Sequence, residues 1–334
     1  MSADPSPAPN FEAAADAIVA GDAAALKALL REYPELIRAR STREHRATLL
    51  HYVAANGVEN DRQKTPANIV AIAELLLDAG AEVDSEADIY GGACTTLGLA
   101  MTSVHPERAG VQNALMQALL ERGAVVDRPA AAGRTQSFVA ACFANGRAAA
   151  AEYLAAHGAR LDLDGAAGLG RLDLVAGFFR PDGTLTPAAT AAQLRSGMWW
   201  ACEHGRTEVV RFLLDQEALA RLPDAANGQT FLHAAALGGR SAIVQLLLER
   251  GVAVDTVETV FSGTPLHWAL HGWSNTRPEA ARDRYYEVIA RLVRAGAAID
   301  PAWLDESAEP TEFARTLRAD PRMLAALNAG TREP

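Results

Sequence analysis

The chain has 334 residues with 31 Lys and Arg against 41 Asp and Glu, a formal net charge of −10. No basic stripe of the kind that tracks a phosphate backbone is visible, so nucleic acid is an unexpected partner. No apolar run reaches the roughly 18 residues that would mark a membrane span. The three cysteines, Cys94, Cys142 and Cys202, are odd in number and far apart. They make no disulfide framework and suit a reducing cytoplasm.

Met1 to Asn10 is Pro- and Ser-rich, without a basic or apolar leader segment, and reads as a short disordered tail. Residues 11–41 read as an N-terminal capping unit, with Ala17-Ile18-Val19-Ala20-Gly21-Asp22 followed by Leu26, Leu29 and Leu30. From there one frame recurs. Its cleanest copy runs from Thr230-Phe231-Leu232-His233 through Gly239 and on to Gly251. The Thr is an N-cap whose hydroxyl accepts from an orphan first-turn amide. Leu232, Ala235 and Ala236 make an apolar stripe at helical spacing, and the small Ala pair admits a neighbouring helix. Gly239 and Gly251 end the first and second helices. Ile243, Val244, Leu247 and Leu248 form the second helix's buried face.

Other copies begin at Thr48-Leu49-Leu50-His51, Thr95-Thr96-Leu97-Gly98, Ser137-Phe138-Val139, Ser196-Gly197-Met198-Trp199 and Thr264-Pro265-Leu266-His267. Pro265 falls at the first helical position, where a missing N–H costs nothing. Gly-Ala-x-x-Asp turns close units at Gly80–Asp84, Gly123–Asp127, Gly158–Asp162 and Gly296–Asp300. Insertions fall between helices at Gly57–Ala67, Ser103–Val111 and Trp273–Arg284. Gly183–Gln193 is expected to add a helix starting at Thr186-Pro187. Two short helix patterns follow Pro310-Thr311 and Pro321, with Leu317, Met323, Leu324 and Leu327 placed to cover the last repeat.

The Thr-Pro-Leu-His start, the Gly after helix one, the Leu-Leu of helix two and the closing Gly-Ala-x-x-Asp resemble the ankyrin-repeat family, over roughly residues 11–300. The resemblance implies an all-α solenoid of about eight helix-turn-helix units with caps at both ends. The expected organisation is a tail over 1–10, the array over 11–300 and a helical cap over 301–334. The stretch from Thr48 through Val111 looks like a group of bacterial ankyrin proteins. Trp199 and Gly98 depart from the pattern where a repeat His is expected, and the unit around Asp164–Phe179 keeps only its Ala-Ala and Val anchors.

Catalytic chemistry finds no local signature, and no cofactor or metal is implied. His267 and His271 share a helix face four residues apart, but His267 is the repeat histidine and no Glu stands between them in a zinc-binding pattern. Cys202 and His204 diverge on a helix, and Cys202 occupies an Ala position of the frame, which reads as a buried small hydrophobe. Gly165–Gly170 falls on a first helix and its turn, not on a phosphate loop.

The expected function is a cytoplasmic, non-catalytic binding or adaptor role, gripping a protein or peptide through the concave face. The positions just before each first-helix Gly usually look into that face. They nominate Asn145, Glu203, His204, Leu237, His271 and Trp273 as partner-binding residues. Trp273, at a loop start, is the aromatic expected to stand exposed, whereas Trp199, Trp200 and Trp268 can equally fill gaps between helices. The alternative is a small-molecule pocket or an enzyme site around Tyr52, Asn56, Arg62, Tyr90 and His105, with Tyr90 overhanging Tyr52 and Asn56. Two adjacent insertions would bring Arg62, Gln63 and His105 together; the plain reading is two solvated loops.

Overall fold

A computed structural model of the chain describes residues 10–126, 136–222, 227–304 and 311–330. It is built from helices, and β-structure among these residues is limited to isolated bridges such as Ala87 with Cys94 and Phe179 with Leu185. The chain divides into two compact units, Met1–Leu161 and Asp162–Pro334. Residues 1–9 of the expected tail, Asp127 and Pro310 lie outside the described residues.

The N-terminal unit carries α1 (Phe11–Ala20), α2 (Ala23–Glu32), α3 (Ile69–Asp78), α4 (Thr96–Thr102), α5 (Val104–Arg108), α6 (Gln112–Glu121), α7 (Phe138–Ala144) and α8 (Ala148–Ala156). One expected first helix takes a different form. Leu49–Ala54 is a 3-10 segment that ends at Ala55, whose φ of 48° is left-handed. It is nonetheless wholly buried, and it packs between α1 and α4 as a first helix would. The second helices α3, α6 and α8 stack in a second row. Both insertions hold local structure: a 3-10 turn at Asn60–Arg62, and the short α5.

The C-terminal unit carries α9 (Leu163–Leu169), α10 (Leu172–Ala176), α11 (Ala191–His204), α12 (Thr207–Leu214), α13 (Glu217–Ala220), α14 (Phe231–Leu237), α15 (Ser241–Glu249), α16 (Pro265–Asn275), α17 (Asp283–Arg294), α18 (Glu312–Arg318) and α19 (Pro321–Leu327). First helices α9, α11, α14 and α16 form one row, and second helices α10, α12, α15 and α17 the other. The last two helices close this unit: α19 packs on α17 and buries Met323 and Leu327, while Leu317 of α18 is also buried.

The extra helix expected from Thr186 does not form. Thr190 instead caps α11 through a reciprocal capping box with Gln193, so that segment's helix starts at Ala191 and runs straight through Ser196. The first-helix row is drawn tight by residues without side-chain bulk. A Cβ on Gly238 would lie 2.0 Å from the carbonyl oxygen of Glu203, and one on Gly272 would lie 2.6 Å from that of Leu237. Neither glycine ends its helix by turning left-handed; each lets the preceding helix approach.

Asp164 is an exception to the core pattern. It stands where other repeats place Leu97, Val139, Leu232 or Leu266, and it is as buried as they are. Burial first, and then the Asp162 carboxylate beside it, raise its pKa well above the ordinary carboxylate range. The folded chain therefore holds a proton that the unfolded chain releases.

Two outcomes follow from this packing. Gly238→Ala should lower stability by about 1–3 kcal/mol through overpacking; an unchanged urea midpoint would contradict the close approach. The stabilising effect of protonated Asp164 is complete below about pH 4 and is lost as pH rises through its folded value. Asp164→Asn should accordingly flatten the fall in stability with rising pH; an unaltered slope would show that this carboxyl is ionised in the fold.

Candidate functional site

Four of the five residues of the expected pocket meet in pairs: the Arg62 guanidinium lies 6.0 Å from the Tyr52 ring centroid, and Tyr90 bonds Asn56. Tyr52 is fully buried, its ring edge-on to Phe11 at 6.1 Å and its hydroxyl 3.3 Å from Glu59. Burial, and then Glu59, push its pKa up to about 12. Arg62 is also buried. Its Nε donates to Asp16 at 2.8 Å and its Nη1 to Glu12 at 2.5 Å. Burial opposes its charge, but these two carboxylates outweigh that and raise its pKa. Arg62 thus pins the first insertion to α1 and leaves little to offer a ligand.

Asn56 and Tyr90 do meet, as the overhang predicts. The Tyr90 hydroxyl donates to Asn56 Oδ1 at 2.7 Å. The same Asn56 amide gives its Nδ2 to the Leu99 carbonyl and to Thr102, at 3.0 and 3.1 Å. These bonds lock the loop to α4. His105 sits half-buried in α5. Gln63 turns back to the Val58 carbonyl at 2.9 Å. A shallow depression between α2 and α3, lined by Lys27, Leu30, Ala71, Glu74, Leu75, Asp78 and Ala79, includes none of the five.

The repeat histidines have a structural task. His51, His233 and His267 each place Nδ1 within 2.8–2.9 Å of the hydroxyl of their own N-cap Thr. His51 and His233 then reach the next repeat with Nε2, to the carbonyls of Cys94 and Gly263, both at 3.2 Å. Cys202 is fully buried, as expected for a small apolar filler.

The first-helix residues nominated for a partner take varied positions. Asn145 is exposed at the end of α7, in the N-terminal unit. In the C-terminal unit, His271 is exposed, and Glu203, His204 and Leu237 are half-buried. Glu203 Oε2 accepts from the Trp199 indole at 3.2 Å, and burial raises its pKa. The Leu237 carbonyl accepts from the Tyr285 hydroxyl at 2.8 Å.

Trp273 contradicts the expectation of exposure: it is only 2% exposed. α16 runs on to Asn275, so Trp273 lies within the helix. It then follows Leu266, Ala269 and Leu270 on the buried face at helical spacing. The Arg282 guanidinium covers its ring, 5.3 Å from the centroid.

The exposed apolar surface lies instead on the loop between α15 and α16. Val257, Val260 and Phe261 are 56%, 57% and 75% exposed. Glu258 between them is buried. Its carboxylate accepts the backbone N–H groups of Val260, Phe261 and Gly263 at 2.8–3.0 Å. Desolvation opposes its charge, but these N–H donors prevail and lower its pKa. One acid therefore shapes the tip and turns its apolar neighbours outward. Phe261 meets Trp268 edge-on at 6.3 Å, and Trp268 meets Trp199 at 5.8 Å. Both tryptophans are half-buried. An aromatic line thus runs from the loop tip onto α16 and α11. The sequence signal for this tip is the apolar Val260-Phe261 pair, which the repeat frame does not single out.

With this geometry in view, residues 198–301 match the family model described as ankyrin repeats, in three copies. That stretch carries ankyrin repeats, and ankyrin repeats are generally protein-interaction modules. No curated protein matches the chain. Among solved structures it is similar to the crystal structure of the human ASB11 ankyrin repeat domain. That likeness has 19% identity over 86% of this chain and 99% of that one, with a TM-score of 0.39.

The buried and exposed aromatics should respond oppositely to truncation. Trp273→Ala is expected to cost about 3–5 kcal/mol. Phe261→Ser should stay within about 0.5 kcal/mol of the parent. Chemical denaturation of both variants checks this, and equal losses would show that Phe261 is part of the core.

Proposed function

We propose that this protein is a non-catalytic adaptor that holds a protein or peptide partner on the concave first-helix face of its C-terminal unit. The observation that carries this reading is the apolar tip of Val257, Val260 and Phe261, held in solvent by the buried Glu258. Burying a side chain of this size in an interface is worth about 1.5–3 kcal/mol. Phe261, Trp268 and Trp199 supply the anchor. Glu203, His204, Leu237 and His271 supply the polar and apolar rim along the ends of α11, α14 and α16. In the N-terminal unit, taken by itself, Asn145 at the end of α7 is the residue proposed to meet a partner. The reading includes a reducing, cytoplasmic setting, in which buried Cys94, Cys142 and Cys202 stay as thiols. Among the described residues no helix is long and apolar enough to cross a membrane.

The test is affinity capture from native lysate, with the full chain as bait and quantitative mass spectrometry as readout. A Val260→Ser, Phe261→Ser bait should recover at most about a tenth of the partner that the parent recovers. Undiminished recovery by a folded variant would remove this tip from the interface.

A further inference from the structure

Two acids stand beside the aromatic line of the C-terminal unit, and their supply of donors is unequal. Glu258 accepts three backbone N–H groups, and the Trp268 indole adds to them. Glu203, half-buried on α11, has among the described residues a single donor to its carboxylate, the Trp199 indole at 3.2 Å. Arg240 is near, but its Nε is spent on the backbone carbonyl of Glu203 at 2.8 Å, and the two side chains form no ion pair. Burial opposes the charge of both acids. At Glu258 the donors prevail and the pKa is lowered. At Glu203 burial prevails over the Trp199 donor and the Arg240 charge, and the pKa is raised. Other acids drawn into the fold are met by an arginine: Glu59 by Arg62 at 3.6 Å and Glu107 by Arg147 at 2.5 Å. A desolvated carboxylate with one donor gains most from a cation that brings N–H groups of its own.

The rings beside Glu203 suit such a cation. The half-buried Trp199 and Trp268 have centroids 5.8 Å apart and planes at 78°. Phe261 stands against Trp268 at 6.3 Å and 67°. Rings set this steeply to one another make a corner rather than a flat stack. Aromatic faces attract a guanidinium, and its planar form packs along them. The fold already makes this contact elsewhere in the unit, with Arg282 at 5.3 Å from the Trp273 centroid and Arg322 at 4.2 Å from that of Tyr286. Among the described residues, no cation covers Trp199 or Trp268. A chain of net charge −10 also favours encounter with a basic partner.

We propose that the corner formed by Trp199 and Trp268 receives an arginine side chain of the protein partner, its guanidinium stacked on an indole and bonded to the Glu203 carboxylate. The fork of the guanidinium matches a carboxylate in shape as well as charge, so one side chain serves both the rings and the acid. This rests on the reading of the concave first-helix face as a protein-binding surface and names the residue that the partner brings to it.

The experiment selects a random peptide library, displayed on phage, against the full chain, and then measures a selected peptide by fluorescence anisotropy. Arginine should be enriched in the selected pool. Replacing that arginine with citrulline, which keeps the shape and removes the charge, should weaken binding about tenfold. Glu203→Gln keeps an acceptor for the Trp199 indole, so its melting temperature should not fall. It should weaken the arginine peptide about fivefold and leave the citrulline peptide unchanged. A pool without arginine enrichment, no enriched pool at all, or an equal loss on both peptides would overturn the proposal. Binding of L-arginine amide as tight as that of the peptide would also overturn it, because the occupant would then be a free small cation. Peptides enriched in apolar residues alone, and lost on the Val260→Ser, Phe261→Ser variant, would remove the arginine seat and leave the apolar tip standing.

Discussion

At two junctions of the array a histidine joins one repeat to the next, and those repeats are positioned through it. In both His51 and His233, Nδ1 takes hydrogen bonds from the Thr that caps its own helix, at 3.1 Å from the backbone N–H. An Nδ1 that accepts from an amide leaves the ring proton on Nε2. That proton is then donated to a carbonyl in the loop before the following first helix, Cys94 in one case and Gly263 in the other. One neutral ring thus caps a helix and sets the position of the next repeat. Burial holds His51 down to about 4, so the neutral form persists through mild acid. Repeat arrays are stabilised by contacts between neighbours, and this bond is one such contact made polar and directional. Where the series ends, His267 keeps its Thr but turns its ring against Trp303, 5.2 Å away.

That same bond bears on the surface proposed to bind. The carbonyl taken by His233 belongs to Gly263, whose own N–H is accepted by Glu258. The loop tip is therefore tied at its base to the first-helix row, and its apolar residues are presented from a fixed position. Preorganisation of this kind lowers the ordering cost of association. Trp268 lies against His233 at 5.4 Å, so the aromatic line and the structural histidine share one neighbourhood.

Much of the fold was legible because its signals are local. A Thr, a Gly and a pair of Leu report their own helix ends and faces, and the second-helix positions Ile243, Val244 and Leu247 are buried as their spacing requires. Less legible were features set by partners distant in sequence. Arg62 reads as a loop cation, but Glu12 and Asp16 of α1 close on it from fifty and forty-six positions away. Trp273 reads as a loop residue because Gly272 suggests a helix end; Gly272 is instead a place where Tyr285 and the Leu237 carbonyl come close. Phe261 was missed because its exposure depends on the fold of a single buried acid, which no periodicity encodes. The meeting of Tyr90 with Asn56 was visible, whereas the commitment of that amide to Leu99 and Thr102 was not.

The central claim is that two neutral histidines, His51 and His233, protonated on Nε2, register their repeats against the repeats that follow. Long-range proton–nitrogen correlation NMR of the histidine rings reads this directly. The account predicts that His51 and His233 appear as the Nε2–H tautomer, that His51 remains neutral at pH 5.5, where a free imidazole with a pKa of about 6.5 is mostly charged, and that His233 titrates below that ordinary value. Rings that titrate near that ordinary value, or that carry the proton on Nδ1, would contradict it.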